Sequence, residues 1–365
     1  MASIRRFLLA YRQPESAGVV ETELRVDRGD AVSEATLFRP AGRGRLPGWV
    51  VLHGLTHSGR HHLSLRRFVR AIAASGNAVL VPDIPEWRAL HVAPAITVAT
   101  IRAAVRSLHD RDDVDPERIG LFGFSFGATQ ALVAAATEPE VRSLLAAIAA
   151  WGGYCDLDRL FVFHMTGTHE LDDTTRTLAP DPYGAWVMAG NYLTAMRGHE
   201  NDHAMANALL DLAREAGRAQ IPAWDPVYDD AIRRVRLTLP PEQHTLFDMV
   251  APLTGAVRGD LAAARVKALE LADAARRTDP LMDPTAFLPH VGVRTLLAHG
   301  RDDRLIPFTE TLRLSRALPR ASLAGCTITS LFAHSGGTER GLGAVGLVRE
   351  SARFVAVLSR ILRLL

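Results

Sequence analysis

One serine in this chain stands where a nucleophile would. Ile119-Gly120-Leu121-Phe122 is an apolar, strand-like run, Gly123-Phe124-Ser125-Phe126-Gly127 follows it, and Ala128 to Ala136 reads as a helix. A G-x-S-x-G pentapeptide between strand and helix makes a sharp turn that lifts the serine hydroxyl clear of the strand end. Small residues on either side, here Gly123 and Gly127, suit a turn in which two backbones crowd each other. A serine hydroxyl is a weak nucleophile by itself. It needs a base, and the base needs an acid to fix its tautomer and balance its charge. Along such a chain the expected order is serine, acid, histidine. His299-Gly300-Arg301-Asp302-Asp303-Arg304-Leu305-Ile306-Pro307 and Phe332-Ala333-His334-Ser335-Gly336-Gly337 supply both partners in that order. Ser125, Asp303 and His334 are therefore the candidate catalytic trio. Asp302 is the rival acid and reads better as a cap of the loop.

These residues need elements to hold them. Val19 to Val26 and Ala35 to Arg39 read as two short strands around the turn Asp27-Arg28-Gly29-Asp30, an antiparallel edge. Gly48 to Leu52 is a buried strand ending in His53-Gly54, Leu63 to Ala74 a helix, and Asn77 to Val81 a second buried strand running into Pro82-Asp83. A helix from about 93 to 109 leads to the serine strand, and Ser143 to Ala150 is one more strand, closing at Trp151-Gly152-Gly153-Tyr154. Strand and helix thus alternate from 48 to 154. That pattern predicts a mostly parallel sheet with helices on both faces, which binds ligands at the carboxyl ends of its strands. From 155 to 289 no buried strand appears. The helical segments there are Asp181 to Met196, Glu200 to Ala216, Pro226 to Val235, Pro241 to Val250 and Ala256 to Arg276. The expectation is an all-helical insertion, after which the sheet resumes with strands at Arg294 to His299 and Cys326 to Phe332. Helices at Phe308 to Leu318 and from about Gly343 to Leu364 accompany them. The chain divides accordingly into a first core part (1–154), an inserted cap (155–289) and a second core part (290–365).

Taken in order, His53-Gly54, Val81-Pro82-Asp83, Gly123-Phe124-Ser125-Phe126-Gly127, the His299-to-Pro307 stretch and Ala333-His334 resemble the α/β-hydrolase fold. The likeness points to its bacterial branch of dienelactone-hydrolase-like and acyl-peptidase-like serine esterases. It covers roughly 15–154 and 290–365. It implies Ser125 as nucleophile, His334 as general base and Asp303 as acid. It also implies an oxyanion hole of the Phe126 and Leu55 N–H groups, with Thr56 an alternative second donor. A substrate pocket would draw on His53, Thr56, Phe124, Trp151 and Tyr154, and Asp83 would be structural or line that pocket. The implied reaction is cleavage of a carboxylic ester on a small molecule through an acyl-enzyme, with no metal or organic cofactor. Peptidase or amidase, thioesterase, C–C hydrolase and acyltransferase chemistry use the same trio, and a non-catalytic ligand-binding member is the reading from another class. Dienelactone hydrolases proper carry a cysteine where this chain has Ser125.

Composition is that of an ordinary soluble globular protein: 48% of residues are hydrophobic and 22% charged. A net charge of +2 makes no electrostatic case for nucleic acid or for an acidic membrane. Cys155 and Cys326 are the only cysteines, too few for a disulfide framework or a thiolate metal site. Phe7 to Tyr11 is too short an apolar run for a signal peptide or a membrane span, so the expected compartment is the cytoplasm. His199-Glu200-Asn201-Asp202-His203 matches H-E-x-x-H, but its polar middle and lack of a third ligand favour solvated capping residues over zinc. His53, His57, His61 and His62 read as loop and pocket-rim residues, not a metal site. An exposed apolar face on the insertion would favour a homodimer.

Overall fold

The computed structural model describes residues 2–42, 44–257, 259–331 and 344–365. Eight strands form its main sheet. They are β1 (Val19–Asp27), β2 (Val32–Pro40), β3 (Leu46–Leu52), β4 (Ala78–Pro82), β5 (Val114–Phe124), β6 (Ala147–Trp151), β9 (Thr295–Gly300) and β10 (Leu323–Thr329). Across the sheet their order is β1-β2-β4-β3-β5-β6-β9-β10. β2 runs antiparallel to both β1 and β4, and every pair from β4 to β10 is parallel. The helices of the two core parts are α1 (Ala2–Arg12), α2 (Leu63–Ala74), α3 (Pro85–Arg88), α4 (Pro94–His109), α5 (Phe126–Thr137), α6 (Pro139–Leu144), α13 (Phe308–Ala317) and α14 (Ala344–Ile361). Successive side chains of a strand point to opposite faces, and here both faces are packed. Trp49 and Val51 of β3 lie with Phe7, Phe68 and Leu358 of α1, α2 and α14. Val50 and Leu52 lie with Ile101, Ala131 and Leu314 of α4, α5 and α13. Burial on both sides is why these strands read as continuous apolar runs.

Between β6 and β9, which pair directly, the chain leaves the sheet. That segment carries α7 (Leu157–Thr166), β7 (Thr168–Leu171), β8 (Thr174–Thr177), α8 (Pro182–Tyr192), α9 (His203–Ala219), α10 (Asp229–Thr238), α11 (His244–Val250) and α12 (Leu261–Thr278). It is not all-helical. β7 and β8 form an antiparallel hairpin closed by Asp172-Asp173, both at positive φ (50° and 56°). Aspartate tolerates that backbone, and a two-residue turn with both φ positive matches the twist of paired strands. The four threonines at 174, 175, 177 and 168 are the strand signal beside it. α7 also lies outside the helical segments read from the sequence. Eight of its residues are buried, so it shows no polar stripe to mark its period. Its ends are nonetheless marked: Asp156 accepts from Arg159 N, and Gly167 closes it at φ 73°.

α9 starts at His203 with Asp202 before it, so the H-E-x-x-H residues do not share one helix. His199 Nδ1 instead bonds Asp202 Oδ2 at 2.6 Å, and Glu200 accepts from Gly198 N at 3.0 Å. No group of three metal-ligating side chains occurs among the described residues, and no described helix is long and apolar enough to cross a membrane.

β5 and α5 meet very closely. A Cβ on Gly123 would stand 2.2 Å from the Gly127 carbonyl oxygen and 2.6 Å from Ala128 Cα, both backbone atoms that cannot step aside. Gly123→Ala should therefore destabilise the fold by more than about 3 kcal/mol, beyond ordinary overpacking. A urea midpoint within error of the wild type would show that strand and helix can part.

Candidate active site

Ser125 occupies the turn between β5 and α5 with φ 55° and ψ −126°, a conformation costing a non-glycine residue about 1–3 kcal/mol. The turn is held by Ser125 N donating to Trp151 O at 2.8 Å and Ala128 N to Ser125 O at 2.9 Å. A serine at a helix N-cap usually spends its hydroxyl on an N–H of the first turn. Ser125 makes no such bond, so its Oγ is not consumed by capping. Phe126 is the first residue of α5, where N–H groups have no partner within the helix and the dipole is positive.

The loop after β3 lies against this turn. A Cβ on Gly54 would be 3.6 Å from Ser125 Cβ, and one on Gly127 would be 2.8 Å from the His53 carbonyl oxygen. His53 is buried, with Nδ1 2.7 Å from the Gly54 carbonyl, so Nδ1 carries the proton. That carbonyl belongs to the peptide whose N–H is the Leu55 amide, and in a trans peptide the two point in opposite directions. The imidazole thus aims the Leu55 N–H. The His53 ring also packs edge-on against Trp87 at 5.2 Å, and Trp87 against Phe126 at 5.1 Å, which ties the loop to the start of α5. Further along, Thr56 takes Gly59 N on its Oγ1 at 3.2 Å, closing a turn. Arg60 is buried and donates to Glu23, Glu34 and Thr36.

Asp302 and Asp303, adjacent in sequence, have opposite surroundings. Asp302 is exposed, whereas Asp303 is 1% exposed. Asp303 Oδ1 accepts from the N–H groups of Leu305 (2.9 Å) and Ile306 (3.1 Å), and Oδ2 lies 3.3 Å from His299 Nε2. His299 is buried too, with Nε2 2.8 Å from Ile306 O and Nδ1 2.6 Å from Thr311 Oγ1. Nε2 faces only acceptors, so it carries the proton and braces the carboxylate. Ser125 follows β5 and Asp303 follows β9, two places along the sheet on the same edge. His334 lies outside the described residues.

The remaining candidates divide. Phe124 is half-buried and stacks on Phe122 at 4.6 Å. Trp151 is 2% exposed and meets Phe354 of α14 at 5.9 Å, on the face of the sheet covered by α1, α2 and α14. Tyr154 is 1% exposed, with its hydroxyl on the Met282 carbonyl at 2.6 Å. Both are buried among packed side chains. Asp83 is an ion-pair residue: Arg88 donates to it at 3.1 Å, and Arg60 Nε stands 3.9 Å away.

Two residues at the start of the Asp181 to Met196 helix read from the sequence also belong to the surroundings. Tyr183, on α8, donates to the Leu55 carbonyl at 2.9 Å. Asp181 caps α8 by accepting from Tyr183 N at 3.1 Å, and its backbone N donates to Arg304 O, next to Asp303, at 2.7 Å. Burial raises the Asp181 carboxyl to about 6, against the pull of the Tyr183 amide. Asp181-Pro182, a capping residue followed by a first-turn proline, is where the helix read from the sequence already begins.

Folds related to this one are known. A mutant of the rice cell wall degrading esterase LipA from Xanthomonas oryzae aligns over 98% of this chain and 94% of its own, with a TM-score of 0.56 at 16% identity. Acylaminoacyl peptidase from Pyrococcus horikoshii aligns over 95% of this chain with a TM-score of 0.51 at 13% identity. The chain spans 42% of that peptidase's length. This chain has the α/β-hydrolase fold. By sequence, the quorum-quenching protein AidA of Acinetobacter baumannii is 24% identical over 254 residues, 61% of this chain and 83% of its own length. No protein-family model matches the chain.

Burial lowers the His53 imidazole from its ordinary 6.5 to about 4, so it is neutral at pH 7. The unfolded chain then binds the extra proton first. Stability from this group is complete above about pH 6.5, declines as pH falls towards 4 by on the order of 3 kcal/mol, and is flat below. Replacing His53 with Asn keeps a donor and removes the titration. Urea unfolding at pH 7 and pH 4.5 should show wild type losing about 2–3 kcal/mol more than the variant; equal losses would mean His53 titrates normally.

Proposed function

We propose that this protein is a serine hydrolase that cleaves a carboxylic ester, or a related acyl substrate, through Ser125, His334 and Asp303. The observation that carries the reading is Ser125 itself. It is held at φ 55° at the head of α5, with its hydroxyl uncommitted to capping and the His53-Gly54-Leu55 loop against it. A strained residue without a capping bond costs stability, and nucleophilic attack is the use that repays it.

In this mechanism His334 takes the proton of Ser125 Oγ as that oxygen adds to the substrate carbonyl. The tetrahedral oxyanion is received by the N–H groups of Phe126 and Leu55. The same histidine then protonates the leaving alcohol. Water, deprotonated by His334, attacks the acyl-enzyme, and the acid and free Ser125 are released. Asp303, buried and already accepting two amides, orients His334 and balances its charge during transfer.

The segment 155–289 serves in this reading as a cap that shapes the substrate site. Support comes from where it attaches: Tyr183 to Leu55, Asn191 to Leu90 and Val92, and Ala179 and Asp181 to Arg304. All are loops beyond the carboxyl ends of β3, β4 and β9. The esterase and the peptidase of the same fold support ester and amide bonds as the first two substrate classes. The Acinetobacter relative's name makes quenching of a quorum signal a second reading, tested by whether the purified protein silences a signal-dependent reporter strain.

A fluorophosphonate probe should label the wild type and not Ser125→Ala, and nitrophenyl esters of graded chain length should be turned over by the wild type alone. An unlabelled wild type overturns the reading. Asp303→Asn should lower kcat on the order of 10³–10⁴-fold, as removal of the acid does in such trios. Asp302→Asn should stay within about threefold of wild type; the reverse order would make Asp302 the acid.

A further inference from the structure

Among the contacts of the inserted segment with the loop after β3, one is polar and directional. The Tyr183 hydroxyl donates to the Leu55 carbonyl at 2.9 Å. Burial and the nearby Asp181 charge both raise its pKa, so the hydroxyl keeps its proton and remains a donor. The Leu55 carbonyl belongs to the peptide whose N–H is that of Thr56. The peptide before it, carrying the Leu55 N–H, is held by His53 Nδ1 on the Gly54 carbonyl at 2.7 Å. Two successive peptide planes beside Ser125 are thus each gripped by the carbonyl, and because a peptide is rigid each grip sets the direction of an N–H. One grip comes from the core. The other comes from the insertion.

The same helix end reaches the acid's loop. Asp181 N donates to Arg304 O at 2.7 Å, and Arg304 Nε donates to the Ala179 carbonyl at 2.7 Å. From α9, Arg218 Nε stands 3.5 Å from His57 Nε2, and a Cβ on Gly217 would be 3.5 Å from His57 Cβ and 4.0 Å from the Tyr183 hydroxyl. The loop after β3 is therefore pressed from two helices of the insertion.

We propose that the first turn of α8 sets the geometry of the oxyanion loop, with Tyr183 as the positioning residue: by holding the Leu55 carbonyl it aims the Thr56 N–H, the alternative second donor, and fixes Leu55 from the side opposite to the peptide that carries its own N–H. This rests on the serine-hydrolase reading. The insertion is then part of the catalytic apparatus in addition to shaping what enters. Tyr183 acts through the backbone and touches no reacting atom, so its loss should weaken transition-state stabilisation and leave ground-state binding nearly unchanged. Removing one oxyanion donor outright costs on the order of 10²–10³ in kcat, and misaiming one should cost less, about 10–100-fold.

The test is Tyr183→Phe in the full chain, which keeps the ring and deletes only the hydroxyl. Nitrophenyl ester kinetics should show kcat down about 10–100-fold with KM within about threefold, and slower fluorophosphonate labelling by a similar factor. Tyr192→Phe is the control. It removes a hydroxyl from the same helix, one bonded to Asp279 at 2.9 Å and away from the loop, and should leave kcat unchanged. Gly217→Val, which crowds the Tyr183 hydroxyl from α9 and favours the helix over glycine, gives a second handle should Tyr183→Phe not fold. It should also lower kcat at constant KM. Unchanged kcat in Tyr183→Phe, or an equal fall in Tyr192→Phe, would overturn the positioning role while leaving the hydrolase reading intact. A wild type that neither labels nor turns over would instead remove the reading on which it rests.

Discussion

Two backbones pressed together at Gly123 and Gly127 govern the rest of this molecule. No side chain fits between β5 and α5 there, since even a methyl group at Gly123 would overlap the Gly127 carbonyl. Such closeness leaves no room for a relaxed connection, and Ser125 takes up the misfit at φ 55°. The sheet around it supplies the stability that this conformation costs. Because Gly127 also backs onto the His53 carbonyl, the same contact fixes how near the following loop comes to the serine.

Loops at the carboxyl edge of a sheet carry polar backbone groups into a crowded, partly buried place, where each unpaired group would be costly. Side chains from distant elements provide the pairing. His53 and Tyr183 hold successive carbonyls of one loop, Arg60 braces its far end against β1 and β2, and His299 with two amides braces Asp303. Burial keeps His53 neutral, which suits an imidazole whose task is to donate one fixed hydrogen bond. The insertion joins this arrangement through α8, so core and insertion share one polar network.

Much of the fold was legible because its signals are local. Buried parallel strands announce themselves as apolar runs, and the turn around Ser125 is written in five consecutive residues. The hairpin at Asp172-Asp173 was passed over because its strands are short and β8 is exposed throughout, leaving no apolar run to read. α7 was passed over for the opposite reason, being buried nearly all round. His199 and His203 have metal-ligand spacing only if one helix carries both, and Asp202 ends that possibility by pairing with His199 ahead of the helix.

Sequence alone places a serine in a strand-turn-helix setting, with an acid and a histidine after it in order. It also determined the parallel sheet that supports them, since side-chain alternation and turn chemistry act within a few residues. Tertiary structure alone set Asp303 apart from Asp302, because burial depends on what packs over a loop and not on the loop's own residues. It alone buried Trp151 and Tyr154. And it alone brought Tyr183 to Leu55, 128 residues apart along the chain. A hydrogen bond over that separation leaves no periodic trace in a sequence; it exists only once the insertion has folded back onto the sheet edge from which it departed.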